Sequence, residues 1–258
     1  GVIDLAAIRS ALADCGPETI VSVMLANNET GVMQPVADVV AIAAEAGALV
    51  HCDAVQGPGR IAVDFSALGV DLMSLSAHKL GGPKGSGVLI VRDPALLSAE
   101  ITGGGQERGL RGGTENVIGI AGFGAAARLL SESRKRMTCI GRLRDELEAQ
   151  IGRIAPQAIV AGAGAARLPN TSCIVLPGVG ADRQVMALDL AGVAVSAGSA
   201  CSSGKITPSH VLTAMGLPES HAGSAIRVSM GPETTKDDVD AFLEAWTALA
   251  ARAKQTAA

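Results

Sequence analysis

The first half of the chain alternates short apolar runs with stretches whose apolar residues recur at helical spacing, and this pattern most constrains the fold. Residues 20–26 form a continuous apolar run before a turn-prone segment, and residues 36–46 then follow helical spacing up to Gly47. Strands that alternate with helices build a mostly parallel sheet covered by helices, so the pattern predicts an α/β fold. Further predicted strands cover residues 48–52, 71–76 and 88–91.

The composition is that of a globular protein with a large core. Apolar residues make up 48% of the 258 residues and the mean hydropathy is +0.35, which is enough for one or two domains. The net charge of −4 is distributed without a basic stripe, so we expect no nucleic-acid partner. No apolar run reaches the about 18 residues that a membrane helix needs, so we expect no membrane partner.

The five cysteines are far apart, form no Cys-x-x-Cys pair and are odd in number, which argues against a disulfide framework and a zinc site. We therefore expect no metal and a reducing, cytoplasmic location. Lone cysteines are usually inert core residues, and this is our interpretation of Cys15, Cys139 and Cys173. Cys201 differs because it lies in a run of small residues, 196–204, that cannot form a core around it. The run predicts an exposed loop with a reachable thiol.

The second half of the chain has a different pattern. A helical region at residues 116–153 carries charge clusters, and we place a domain boundary at 136/137 within it. Strand-like runs follow at residues 173–176 and 225–229, and a final helix begins near Lys236. We therefore expect a smaller α+β domain after the boundary. The final helix has a candidate N-terminal cap in Thr235 and Asp238 and one apolar face, which consists of Val239, Phe242, Leu243, Trp246 and Leu249.

Lys79 is the first residue that could carry chemistry. It follows a predicted strand and precedes a glycine-rich turn, and ligands of open α/β sheets bind at strand ends. A lysine amine there can react with an aldehyde when burial frees it of its proton, although a plain surface lysine is the common alternative. Asp53 ends another apolar run and could keep a pyridine nitrogen protonated, the arrangement that makes pyridoxal phosphate (PLP) an electron sink.

Three further residues extend this candidate site. Gln56 could reach a phenolic ring oxygen, and Ser76 and His78 offer a hydroxyl and an imidazole to a phosphate beside the lysine. Each alone is commonly a turn residue or a satisfied strand end. Together with Lys79 they form a set that chance rarely provides.

Competing motifs are absent from the sequence. No G-x-x-x-x-G-K-[ST] segment occurs, no G-x-G-x-x-G follows a strand, and neither G-x-S-x-G nor H-E-x-x-H is present. These absences weaken nucleotide-binding, hydrolase and zinc-protease readings. His51, Cys52 and Asp53 do not suggest a metal site, because side chains alternate along a strand and Cys52 would point away from the other two.

Seven segments, in the same order along the chain, closely resemble cysteine desulfurases. They are NNETG at 27–31, HCDAVQ at 51–56, SAHK at 76–79, GGGQERGLRGGT at 103–114, SACSS at 199–203, PSHVL at 208–212 and IRVS at 226–229.

The resemblance implies a homodimeric PLP enzyme of fold type I. Residues 1–136 would be the second part of the large PLP-binding domain, and residues 137–258 would be the small domain with the catalytic cysteine loop. By position, the catalytic residues implied by the resemblance are Lys79, His78 and Cys201. Asp53 and Gln56 would contact the PLP ring, Ser76 and His78 would bind its phosphate, and Thr114 would reach the phosphate bound by the partner subunit. Asn28 and Arg227 would bind the substrate carboxylate.

The activity implied is conversion of L-cysteine to L-alanine, with sulfur held on Cys201 as a persulfide and passed to an acceptor protein such as an iron–sulfur scaffold. Alternatives are a selenocysteine lyase or another class V aminotransferase, and a non-catalytic fragment that only binds a partner or dimerises. Gln106 stands where many relatives have histidine. The family's amino-terminal phosphate loop and ring-stacking histidine are not found in the sequence, so we expect these residues alone to bind PLP weakly or not at all.

Overall fold

A computed structural model describes residues 1–198 and 207–256, and contacts between residues divide the chain into two compact units. The Lys79 unit comprises Ile3–Leu25 and Gln34–Arg134, and the Arg227 unit comprises Gly1–Val2, Ala26–Met33 and Lys135–Ala258. The short segment Ala26–Met33 thus packs with the second half of the chain, which the sequence pattern did not indicate. The domain boundary at 136/137 remains a prediction.

The Lys79 unit contains a four-stranded sheet of order β1-β2-β3-β4. β1 and β2 pair in parallel, as do β2 and β3, whereas β4 is antiparallel to β3. The predicted α/β class is therefore confirmed. The elements are α1 Leu5–Leu12, β1 Ile20–Met24, α2 Val36–Glu45, β2 Leu49–Asp53, α3 Phe65–Leu68, β3 Leu72–Ser76, β4 Gly87–Val91 and α4 Val117–Arg128, with 3-10 turns at Ala77–Lys79, Pro94–Leu96 and Gln106–Gly109.

The two faces of this sheet differ in burial. Val50 and Cys52 of β2 are buried in one core cluster with Val39 of α2. Because successive side chains of a strand point to opposite faces, His51 and Asp53 lie on the other face, where both are half-buried. The core on one face thereby fixes which side chains the sheet presents on the other.

The Arg227 unit contains a second, entirely antiparallel sheet of order β5-β6-β8-β7. The predicted helical region at 116–153 consists of two helices that meet at Leu129. The remaining elements are α5 Leu130–Ile154, which begins in the Lys79 unit, β5 Ile159–Val160, β6 Thr171–Val175, α6 Ala181–Leu190, β7 Ser196–Ala197, α7 His210–Ala214, α8 Glu219–Ala222, β8 Ala225–Ser229 and α9 Lys236–Thr256.

The final helix, α9, has the predicted cap and apolar face. The Thr235 amide donates to Asp238 Oδ2 (2.8 Å) and the Asp238 amide donates to Thr235 Oγ1 (3.3 Å), so each side chain satisfies a backbone donor at the helix start. The predicted apolar face lies in the core of the Arg227 unit, with Trp246 fully buried. No helix in the described ranges, α9 included, is long and apolar enough to cross a membrane.

Two leucines of α6 provide a matched test of this core. Leu188 is fully buried, whereas Leu190 is 84% exposed on the same helix. We expect Leu188→Ala to lower the free energy of unfolding by about 2 to 5 kcal/mol, because it removes buried methyl groups and leaves a cavity. Leu190→Ala should change it by no more than about 0.5 kcal/mol. Urea unfolding of both variants measures the difference, and similar values would contradict the packing of α6.

Candidate active site

Asp53 and Lys79 lie at the same edge of the parallel sheet. Asp53 is the last residue of β2 and pairs in register with Ser74 of β3. Lys79 closes the 3-10 turn that directly follows β3. Since parallel neighbours end at one edge, the carboxylate and the amine are both positioned where α/β sheets bind ligands.

The Asp53 carboxylate keeps acceptor capacity for a ligand. Its Oδ1 accepts a hydrogen bond from the Val55 amide (3.1 Å), and the carboxylate makes no other hydrogen bond to the described residues. On the same sheet face, His51 Nδ1 lies 2.8 Å from Ser22 Oγ and His51 Nε2 lies 3.1 Å from Ser74 Oγ. This hydrogen-bonded row across three strands was not predicted from the sequence.

Lys79 is half-buried, and its amine makes no hydrogen bond or ion pair with the part of the chain that the structure describes. Ser76 lies three residues before Lys79 and His78 directly before it, and Ser76 Oγ and His78 Nδ1 are 2.8 Å apart. His78 itself is exposed. One group donates to the other in this contact, and the pair keeps one proton for an anionic group: the Ser76 hydroxyl proton when Nδ1 donates to Ser76, or the Nε2 proton when Ser76 donates to Nδ1.

Arg60 links the segments of two predicted site residues. Its Nη1 donates to the Gln56 carbonyl oxygen (2.8 Å) and its Nη2 to the Lys79 carbonyl oxygen (3.3 Å). A guanidinium suits this role because its donors form a rigid, planar fork. No sequence motif marks Arg60, since a contact with backbone carbonyls imposes no pattern on side chains.

Thr114 is exposed and lies in the Lys79 unit, after a strained glycine-rich segment. Glu107 and Arg108 in that segment have positive φ angles of 49° and 58°, which are uncommon for residues with a side chain. The Oε1 atom of Gln106 is buried without a hydrogen-bond partner in the described residues. Such strained and unsatisfied groups cluster at functional sites.

Asn28 and Arg227 come together in the Arg227 unit. Arg227 Nη1 donates to the Asn28 carbonyl oxygen (3.1 Å), and this is the only hydrogen bond of the guanidinium among the described residues. Its Nε is buried without a partner there. The turn is organised by Asn27, whose Oδ1 accepts from the amides of Glu29 (2.9 Å) and Thr30 (3.0 Å).

The predicted site residues are thus distributed over both units. Cys201 lies outside the described residues. The structure describes no group of three or more histidine, cysteine or acidic side chains that could hold a metal ion. Asn28 and Arg227 belong to the Arg227 unit, and the Lys79 unit contains Asp53, Gln56, Ser76, His78, Lys79 and Thr114.

The described cysteines are free, and they differ in burial. Cys173 is buried as expected, but Cys15 and Cys139 are exposed, so their interpretation as core residues was wrong. Cys15 falls just after the end of α1 and Cys139 on the solvent side of α5, neither of which composition reveals. Burial raises the pKa of the Cys52 thiol to about 12, with a smaller effect of Asp53. Burial likewise raises the pKa of Cys173 to about 12, and Glu29 adds to it.

The residues at the sheet edge fit PLP. A half-buried amine without a partner among the described residues suits the aldehyde, a carboxylate with spare acceptor capacity suits the pyridine nitrogen, and the Ser76–His78 pair suits the phosphate. We therefore describe the chain as an α/β protein with a candidate ligand site at the edge of its parallel sheet.

Comparison with known proteins identifies the family of the chain. A match to the family "Aminotransferase class-V" covers residues 1–242, and the chain belongs to this family. A cysteine desulfurase of Klebsiella pneumoniae is 42% identical over 240 residues, which are 93% of this chain and 60% of that protein. The chain thus spans less than two thirds of the length of this relative.

Solved structures agree with this assignment. The X-ray structure of a NifS-like protein from Rickettsia africae superposes with a TM-score of 0.87 at 37% identity, covering 96% of this chain and 67% of that one. The structure of SspA in complex with cysteine superposes with a TM-score of 0.71 at 31% identity, covering 91% of this chain and 64% of that one. The fold-type-I architecture is therefore confirmed.

The cysteine environments predict a selective pattern of alkylation. At pH 8 a thiol of pKa about 12 is ionised to roughly one part in 10⁴, and burial also blocks the reagent. We expect iodoacetamide to label Cys15 and Cys139 in the folded protein, and Cys52 and Cys173 only after unfolding. Peptide mass spectrometry measures this, and labelling of Cys173 as fast as Cys139 before unfolding would refute the burial described above.

Proposed function

We propose that the chain carries the active-site residues of a PLP-dependent cysteine desulfurase. The observation that carries the proposal is the placement of Asp53 and Lys79 at the ends of adjacent parallel strands. The names of the relatives support the reaction, and the cysteine found in the SspA structure supports the substrate class.

The residues of the Lys79 unit would hold the cofactor. Lys79 would bind its aldehyde carbon and later move the α-proton of the substrate, Asp53 would accept a hydrogen bond from the pyridinium, and Gln56 would bond the ring oxygen. Ser76 and His78 would hold the phosphate, and Thr114 would reach the phosphate bound by a partner subunit. When bound, PLP supplies an electron sink for the bonds at the substrate's α-carbon.

Arg227 and Asn28 would bind the carboxylate of L-cysteine. A guanidinium recognises a carboxylate with two parallel hydrogen bonds, and Arg227 spends only one described donor on the protein. That donor goes to the Asn28 carbonyl, so the same contact orients Arg227 and brings the Asn28 segment beside it.

Cys201 would accept the sulfur. The thiolate attacks the substrate sulfur, the substrate C–S bond breaks, and an S–S bond forms to give the persulfide. The electron pair of the broken bond stays on the β-carbon, which takes up a proton and becomes the methyl group of alanine. The sulfur is oxidised to the sulfane level while the carbon is reduced, so cysteine and the enzyme thiol give alanine and the persulfide without an external redox agent.

The proposal includes partners. The first turn of α4 follows Thr114 and exposes Val117 (69%) and Ile118 (87%), a pair of apolar side chains suited to burial against a second copy of the chain. The persulfide would be passed to an acceptor protein such as an iron–sulfur scaffold. A reducing cytoplasm would suit a catalytic thiol, and the described cysteines are free.

Trapping and substitution test the reaction. In the protein isolated from its native source, borohydride should fix PLP to the peptide that contains Lys79, and Lys79→Ala should abolish both trapping and activity. Cys201→Ala should abolish sulfide release from cysteine while trapping at Lys79 persists, because the thiol acts only on the sulfur. Cys139→Ala, the loss of an exposed thiol on α5, is the matched control and should behave as the wild type.

The outcomes separate the alternatives. Cysteine turnover that survives Cys201→Ala would indicate a selenocysteine lyase or another class V aminotransferase. Failure of borohydride to trap any cofactor would favour a non-catalytic binding or dimerisation unit.

Arg227 allows a test of substrate binding. We expect Arg227→Ala to raise KM for cysteine about 10- to 100-fold, because a charge-assisted hydrogen bond contributes about 1.5 to 3 kcal/mol. The KM of Arg227→Lys should lie between those of the wild type and Arg227→Ala, since lysine keeps the charge and loses the planar fork. Arg136→Ala, which removes an exposed ion pair with Glu233 in the same unit, is the control. An unchanged KM in Arg227→Ala would contradict the assignment.

A further inference from the structure

One peptide unit connects the side chain of Asn27 to that of Arg227. The carbonyl group of Asn28 and the amide of Glu29 belong to the same planar peptide. Its carbonyl oxygen accepts from Arg227 Nη1 (3.1 Å), and its amide donates to Asn27 Oδ1 (2.9 Å). A guanidinium, a backbone peptide and a side-chain amide therefore form one continuous row of hydrogen bonds within the Arg227 unit.

Both bonds of this row depend on the orientation of the peptide. The C=O and N–H groups of a trans peptide point in opposite directions, so a rotation of the peptide that breaks one bond also breaks the other. Hydrogen bonds in a row also polarise one another, and a peptide whose amide is bonded has a carbonyl oxygen that accepts more strongly. Asn27 is only 6% exposed, so water competes little for its oxygen.

Other contacts hold the surrounding turn and do not pass through this peptide. The Asn27 amide donates to the Val32 carbonyl oxygen (2.8 Å), and the Gly31 amide donates to the Asn27 carbonyl oxygen (2.9 Å). The side chain of Glu29 is held separately, since Ser209 Oγ donates to Glu29 Oε2 (2.6 Å). Loss of the Asn27 side-chain oxygen should therefore release the peptide and leave the turn in place.

We propose that Asn27 is a positioning residue for the substrate carboxylate and acts on Arg227 through the Asn28–Glu29 peptide; this inference rests on the proposed function. Arg227 makes one hydrogen bond to the described residues, and that bond is to this peptide. A guanidinium binds a carboxylate through two parallel bonds only when its plane is correctly oriented. Because Asn27 orients the peptide that orients the guanidinium, the affinity for the substrate should depend on both side chains.

Steady-state kinetics of the holoenzyme test this role. We expect Asn27→Leu, which removes the acceptor and nearly keeps the side-chain volume, to raise KM for cysteine about 3- to 10-fold, the contribution of one hydrogen bond. The kcat should change less than about 2-fold, because no reacting atom loses a contact. Asn27→Asp keeps an acceptor oxygen and should return KM close to the wild-type value. An unchanged KM in Asn27→Leu, or an equal increase in Asn27→Asp, would overturn the proposal.

A double-mutant cycle shows whether Asn27 acts through Arg227. In the Arg227→Ala background, Asn27→Leu should raise KM less than about 2-fold further, because the group that Asn27 orients is already absent. Independent contributions would multiply instead. The same increase of about 3- to 10-fold in both backgrounds would therefore contradict an action through Arg227.

Thr30→Val is the matched control for stability. The Thr30 hydroxyl donates to Asn27 Oδ1 (3.2 Å) and accepts from the Val32 amide (3.2 Å), so its loss weakens the same turn without removing a bond of the Asn28–Glu29 peptide. We expect a lower melting temperature and an unchanged KM. An increase in KM equal to that of Asn27→Leu would show that any weakening of the turn is sufficient, and the specific role of Asn27 would be refuted.

Hydrogen exchange provides a readout that needs no activity. Relative to amides of β6, the Glu29 amide should exchange about 10-fold faster or more in Asn27→Leu. It should also exchange faster in Arg227→Ala, since removal of either end of the row releases the peptide, whereas the Gly31 amide should keep its rate in Arg227→Ala. An unchanged rate of Glu29 in Arg227→Ala would refute the link between the two side chains. A wild-type enzyme that releases no sulfide from cysteine would instead refute the proposed function, and the exchange of Glu29 would still decide whether Asn27 and Arg227 are coupled.

Discussion

The parallel pairing of β2 with β3 is the constraint on which the candidate site depends. Pairing extends past the strand ends, because the Leu25 amide donates to the Asp53 carbonyl (2.8 Å) and the Ala54 amide donates to the Ser74 carbonyl (3.1 Å). The backbone of Asp53 is thereby held from both neighbouring strands. A shift of one residue in register would turn Asp53 into the core and bring Cys52 to the ligand edge.

Contacts outside the sheet then restrict the groups at this edge. Arg60 donates to the carbonyls of Gln56 and Lys79, so one guanidinium links the turn after β2 to the turn after β3. His51 connects β1 and β3 on the same face through two serines. Neither Arg60 nor His51 belongs to the core. Both restrict the conformations of the segments at the sheet edge, and a site whose groups are ordered in advance binds a ligand in the correct geometry more readily.

Much of the Lys79 unit could be predicted because its elements are local. The apolar runs before Asp53 and Lys79 are strands, and alternation along β2 correctly separated Cys52 from its neighbours. Contacts between distant residues leave no periodicity, which is why the Glu29–Ser209 bond, the Arg60 bridge and the packing of Ala26–Met33 with the second half were not predicted. Exposure of Cys139 was missed for a related reason, since helix orientation depends on packing partners elsewhere in the chain.

The electrostatic effect of Asp53 depends on how well water is excluded from its face of the sheet. Ile20 (55%), Met24 (42%) and Leu89 (45%) are exposed on that face, and Met24 pairs in register with Asp53. A carboxylate and a pyridinium attract each other several times more strongly near a protein surface than in bulk water, and more strongly still where water is absent. At an exposed face water screens the charge of a carboxylate, and the apolar side chains beside it are hydrated. Covering these side chains would therefore strengthen any charge interaction of Asp53 in the same step that buries apolar surface.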